Sequence, residues 1–255
     1  MAPLRKIIFC ATPRTGSTVI FDDFFNLLGG REVNAELLLT SVIEERRFTT
    51  WAETWAQVEH DNAVADIVAV KVMINYTPYI SHFIGGDAAG VAPFRNAPFS
   101  AEHFNDFFAF FRDALWVYID RKNVWAQATS IFVASKTGKW EQRTGAAKKS
   151  ESSISELVYD QQALFEITNR FLFQKRQWEA FFSYYGVRPI RIEYEDAVSH
   201  YPEYLDEFFR TAKLTPTVLD PPRRLARVGT DTSREFENRL RREWTENFGE
   251  SQVVG

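Results

Sequence analysis

The sequence predicts an α/β fold in which a mainly parallel sheet is covered by helices on both faces, giving three layers in αβα order. Two observations carry that reading. Apolar or β-branched runs of strand length alternate with longer helical segments, the pattern of a parallel sheet joined by helical crossovers. The first of these runs also passes through a Ser/Thr/Gly turn straight into a helix.

Taken in order, residues 4–11 (LRKIIFCA) form the first buried strand, and residues 19–28 a helix stopped by Gly29 and Gly30. The run 67–73 (IVAVKVM) is a second β-branched run, suited to a buried parallel strand. A Phe-rich helix covers 102–112, a strand 114–119 (ALWVYI) and a helix 123–136. Residues 138–155 are rich in Lys, Ser and Gly and read as a mobile loop. A long helix then covers 155–185, a strand 188–194 (RPIRIEY), a helix 201–212 and a last helix 232–248. No internal repeat or linker divides the chain, so its 255 residues are expected to form one domain.

The bulk properties narrow the function. With 45% hydrophobic and 25% charged residues, the composition is that of a globular protein. A net charge of −4 argues against nucleic-acid partners, which need a broad basic face. Cys10 is the single cysteine, so no internal disulfide can form, and a reducing, cytoplasmic setting is expected. The apolar run near the N-terminus is too short for a signal peptide or a membrane span. No close-spaced His, Cys or carboxylate set has metal-ligand spacing, and none of His60, His82, His103 and His200 sits in a motif, so no metal is expected.

Chemistry concentrates first in Pro13-Arg14-Thr15-Gly16-Ser17-Thr18, between a buried strand and a helix. A helix start offers unpaired N–H groups and partial positive charge to a phosphate. Gly16 permits close backbone approach, Ser17 and Thr18 add hydroxyls, and Arg14 adds a forked cation. The turn departs from the ATP/GTP-binding motif G-x-x-x-x-G-K-[ST] at two places: Ala11 stands where its first glycine belongs, and Ser17 where its lysine belongs. The fold is thus P-loop-like without the P-loop lysine. A plain Ser/Thr helix cap is the simpler reading of the turn taken alone.

A second block, Asp120-Arg121-Lys122-Asn123-Val124-Trp125-Ala126-Gln127-Ala128-Thr129-Ser130, places an arginine at a strand end and a serine nine residues later in a helix. Thr137-Gly138-Lys139-Trp140 and the segment RIEYEDAVSH follow, with Trp178 and Phe181 in the long helix between them. Together with the PRTGST turn, this order resembles sulfotransferases that use 3′-phosphoadenosine-5′-phosphosulfate (PAPS), and most closely looks like the bacterial trehalose sulfotransferase family with its nodulation-factor relatives. The resemblance runs from Ile7 to about Leu214.

The resemblance implies transfer of a sulfuryl group from PAPS to a hydroxyl, with a carbohydrate or glycoconjugate as acceptor. It implies that the turn bearing Arg14, Thr15, Gly16, Ser17 and Thr18 holds the 5′-phosphate, and that Arg121 and Ser130 hold the 3′-phosphate, with Arg227 as a further contact. By position Glu36 is the implied general base, with Glu32 as the alternative. An alcohol needs such a base to become a competent nucleophile, and Leu37 to Leu39 beside Glu36 would raise its pKa by burial. Trp140 and Lys139 are expected at the acceptor, where Trp51 and Trp55 could also offer aromatic faces, although core packing is the simpler role for those two. Related enzymes form dimers, so a homodimer is the expected assembly. Two other readings stay open: a non-catalytic binder of 3′,5′-diphosphonucleotides, which would not need Glu36, and a small-molecule kinase, which the missing loop lysine disfavours.

Overall fold

A computed structural model describes residues 4–30, 35, 38, 49–86, 98–138, 140, 157–225 and 230–249. Five strands form one sheet in the order β2-β3-β1-β4-β5. They are β1 (Arg5–Ala11), β2 (Ala63–Val64), β3 (Ile67–Met73), β4 (Leu115–Asp120) and β5 (Ile190–Glu193). β1 pairs in parallel with β3 on one side and β4 on the other, and β5 extends the parallel set; only the two-residue β2 is antiparallel.

The α/β expectation holds, and strand alternation explains the layers. Ile7, Phe9 and Ala11 of β1, with Ile67 and Ala69 of β3 and Val117 and Ile119 of β4, face one side. There they meet Ile20, Phe21, Phe24 and Phe25 of α1 (Ser17–Leu27) and Phe208 and Phe209 of α8 (Asp206–Ala212). Ile8 and Cys10, with Val68, Val70 and Val72, face the other side. They pack under α2 (Trp51–Asn62), α3 (Thr77–Ile84), α4 (Asn105–Phe111) and α6 (Gln161–Tyr185). A third cluster joins α5 (Val124–Thr137) and α6 to the last helix, α9 (Asp231–Phe248). Cys10 is fully buried and burial pushes its thiol well above its ordinary value, so it is an inert core residue. Among the described residues no helix is long and apolar enough to cross a membrane.

Several boundaries differ from the sequence expectation, each for a local reason. Tyr194 opens a short helix, α7 (Tyr194–Ser199), instead of ending β5. The long helix starts at Gln161, because the Asp160 carboxylate accepts from the Ala163 N–H at 3.0 Å and caps it there. The Phe-rich segment divides at Phe104 into a 3₁₀ turn (Ala101–His103) and α4. The expected 201–212 helix likewise divides into a 3₁₀ turn (Glu203–Leu205) and α8.

The register places the functional rim. Ala11, the last residue of β1, lies beside Met73 of β3 and Ile119 of β4. Three parallel strands therefore end level. The chain leaves β1 toward β3 on one side and later returns to β4 on the other, so β1 is the topological switch point. Ligands of such sheets bind beyond the carboxyl ends of the strands at that point.

Candidate active site at the switch point

The turn after β1 is held by side chains from behind. The indole N–H of Trp178 donates to the Ala11 carbonyl at 2.9 Å, and Gln127 Nε2 donates to the Thr12 hydroxyl at 2.8 Å and to the Pro13 carbonyl at 2.6 Å. The Thr15 hydroxyl closes the turn onto the Thr12 carbonyl at 3.0 Å. The carbonyls of the turn are thus taken up by the core, while its N–H side leads into α1. Gly16 is the N-cap of α1 and has no side chain to cap its first-turn N–H groups. Arg14 and Gly16 both adopt left-handed backbone, with φ of 65° and 78°. This arrangement is a fixed, electropositive nest of the kind that binds phosphate.

The turn after β4 lies directly across from it. The Arg121 guanidinium donates to the Arg14 carbonyl at 3.2 Å, and Arg14 Nε donates to the Ser130 hydroxyl at 3.0 Å. The 120–130 block therefore meets the 13–18 turn at both of its marked residues. Arg121 is itself fixed from three elements. Lys175 of α6 donates to the Arg121 carbonyl and forms an ion pair with Asp120 at 2.7 Å. The Glu195 carboxylate of α7 accepts from the backbone N–H groups of Lys122 and Asn123, each at 3.2 Å. Asn123 caps α5 through the Ala126 N–H and ties it to Glu237 of α9.

Tyr194 joins the two turns. Its ring lies 4.5 Å from the Arg121 guanidinium, a cation–π contact. Its other neighbour is Gly16, where an added Cβ would sit 2.1 Å from Tyr194 Cδ2. Gly16 is therefore required twice, for its positive φ and for the space the tyrosine ring fills.

Behind α1 lies a charged clamp that the sequence reading missed. The Asp23 carboxylate is fully buried and accepts from Arg223 Nη2 at 2.6 Å and from the Tyr204 hydroxyl at 2.8 Å, while Asp22 pairs with Arg224 at 3.3 Å. Burial pushes the Asp23 carboxyl above its ordinary value, with Arg223 and Tyr204 pulling the other way. The signal was present: two adjacent acids inside the apolar run of α1 must be paired if buried, and Arg223-Arg224 is the matching doublet.

The structure thus brings together Arg14, Thr15, Gly16, Ser17, Thr18, Arg121 and Ser130. Trp140 joins them: its carbonyl accepts from Arg14 Nη1 at 2.7 Å, its ring lies 5.9 Å from the same guanidinium, and it is 50% exposed. The Arg14 side chain runs toward Ser130 and Trp140. Trp51 and Trp55 pack against Phe110 at 5.1 and 4.9 Å as part of the core margin. Glu36, Glu32, Lys139, Arg227 and nearly all of the 138–155 loop lie outside the described residues, although Ala35 and Leu38, on either side of Glu36, are buried.

An uncapped helix start at the switch point of an α/β sheet, with an arginine-bearing turn across from it, is an arrangement suited to a phosphorylated ligand. A family model described as Stf0 sulphotransferase matches residues 33–243, most of the chain, and the chain belongs to that family. It is accordingly a sulfotransferase. The matched stretch includes the Arg121 turn and Tyr194 and begins after the 13–18 turn. Among curated proteins no sequence matched the chain.

Proposed function

We propose that the protein transfers a sulfuryl group from PAPS to a hydroxyl of a carbohydrate or glycoconjugate. The observation that carries this is the direct junction of the two turns, Arg121 to the Arg14 carbonyl and Arg14 to Ser130. One cleft therefore presents an uncapped helix start beside an arginine–serine pair, which suits a nucleotide phosphorylated at both ends.

PAPS supplies the activated sulfuryl group: the bond from sulfur to the bridging phosphate oxygen breaks, its electron pair stays on that oxygen, and a new bond forms to the acceptor oxygen. The protein's contribution is positioning and charge. Backbone N–H groups of residues 15–18 hold the 5′-phosphate and oppose the negative charge that develops there. Arg121 and Ser130 hold the 3′-phosphate, and Arg14 ties that pair to the turn. An ATP-like nucleotide lacks the 3′-phosphate and forfeits this half of the grip. Glu36 takes the proton of the acceptor hydroxyl. The exposed Trp140 ring, beside the Arg14 guanidinium, offers a flat apolar face to a sugar.

Incubation with ³⁵S-labelled PAPS and a panel of sugars, glycolipids and phenols tests the reading. Label is expected on a carbohydrate hydroxyl. Glu36→Gln is expected to lower turnover by about 10²-fold or more, the usual contribution of a positioned base, with nucleotide affinity nearly unchanged. Unaltered turnover in that variant would remove Glu36 from the role, and label on phenols alone would overturn the acceptor class.

A further inference from the structure

Lys71 is the feature that the two-turn reading leaves unused. It lies in β3, inside a run of seven buried residues, and is itself only 4% exposed. Paired in register with Phe9, it points to the same face of the sheet as α1. Its ammonium donates to the Thr18 hydroxyl at 2.9 Å. A lysine in a strand core loses hydration, so its charge must be met by hydrogen bonds or an opposite charge.

The position of that charge supplies the function. A nucleotide-binding P-loop carries a lysine directly before its Ser/Thr, where it reaches the terminal phosphates. Here Ser17 occupies that place, and the next residue, Thr18, receives the Lys71 ammonium from the neighbouring strand. The other cation of the turn, Arg14, extends the opposite way, to Ser130 and Trp140. Among the described residues, Lys71 of β3 thus sets its ammonium against the first turn of α1.

We propose that Lys71 is the cation of the transferring end of the site: its ammonium, steered by Thr18, binds the 5′-phosphate of the donor and takes the charge left on the bridging oxygen. The lysine of the P-loop is replaced in space by one from the adjacent parallel strand. This rests on the reading of the protein as a PAPS-dependent enzyme and adds to it which residue serves the reacting end.

The test compares two ligands that differ only at that end, adenosine 3′,5′-diphosphate and adenosine 3′-phosphate, by calorimetric titration of wild type, Lys71→Gln and Lys71→Arg. Gln keeps a donor for Thr18 and removes the charge; Arg keeps the charge. Wild type is expected to prefer the diphosphate. Lys71→Gln is expected to lose that preference by about tenfold or more, the worth of a hydrogen bond to a charged group, with its affinity for adenosine 3′-phosphate unchanged. Lys71→Arg is expected to keep most of the preference. If Lys71→Gln retains the wild-type preference, or weakens both ligands equally, Lys71 does not serve the 5′ end. Should wild type itself show no preference, the fault lies in the donor assignment, which separates the two failures.

Discussion

Gly16→Ala is expected to lower the affinity for adenosine 3′,5′-diphosphate by more than tenfold, although it adds one methyl group. The left-handed φ of 78° costs an L-residue about 1–2 kcal/mol. The new Cβ would also fall 2.1 Å from Tyr194 Cδ2, and forced overpacking costs about 1–3 kcal/mol. The ring cannot yield without consequence, because its neighbour at 4.5 Å is the Arg121 guanidinium. One methyl group thus disturbs both turns. A double-mutant cycle separates the contributions: Gly16→Ala with Tyr194→Ala should show positive coupling, since the second change removes the clash and leaves only the φ strain. Gly16→Ala with wild-type affinity would mean that the turn is not a ligand site.

Arg223→Ala is expected to have the largest effect on stability. Arg223 donates to the buried Asp23 carboxylate through Nε at 3.1 Å and through Nη2 at 2.6 Å, leaving Tyr204 as the remaining donor when it is removed. Breaking a buried pair at one end costs about 3–5 kcal/mol, most of it from the stranded charge. The sign of the pH dependence follows. Asp23 already has its carboxyl pushed up by burial, and losing Arg223 pushes it higher. A folded-state pKa above the unfolded one means that the variant is least impaired below the unfolded carboxylate value and loses stability as pH rises through the folded value. Denaturant titrations of wild type and variant should therefore converge toward acidic pH and diverge toward neutral pH. An equal difference at all pH values would show that the loss comes from packing. Asp23→Asn combined with Arg223→Ala should be less destabilised than Arg223→Ala alone.

The fold was legible wherever burial made the chain uniform. Ile67 to Met73 is buried at every position, and its four β-branched residues within a short run read as a strand. α2 was hidden because its buried face carries Thr54, Val58 and Asn62; the four-residue spacing is helical, but two of the three residues are polar. The two turns were legible only through their joint order along the chain, since the first taken alone reads as a plain Ser/Thr helix cap. What joins them was not. Tyr194 read as the end of a strand, and the contacts that give it and Glu195 their place reach across the chain to Gly16, Arg121 and Lys122. Lys71 was passed over for the opposite reason: a lone lysine in an apolar run reads as a flaw in a strand until the first turn of α1 is seen above it.

Calorimetric titration of the wild-type protein with adenosine 3′,5′-diphosphate and, separately, with ATP tests the proposed grip on a nucleotide phosphorylated at both ends. Saturable one-to-one binding of the diphosphate is expected, with far weaker binding of ATP, which lacks the 3′-phosphate proposed to meet Arg121 and Ser130. Tight binding of ATP with none of the diphosphate would contradict it.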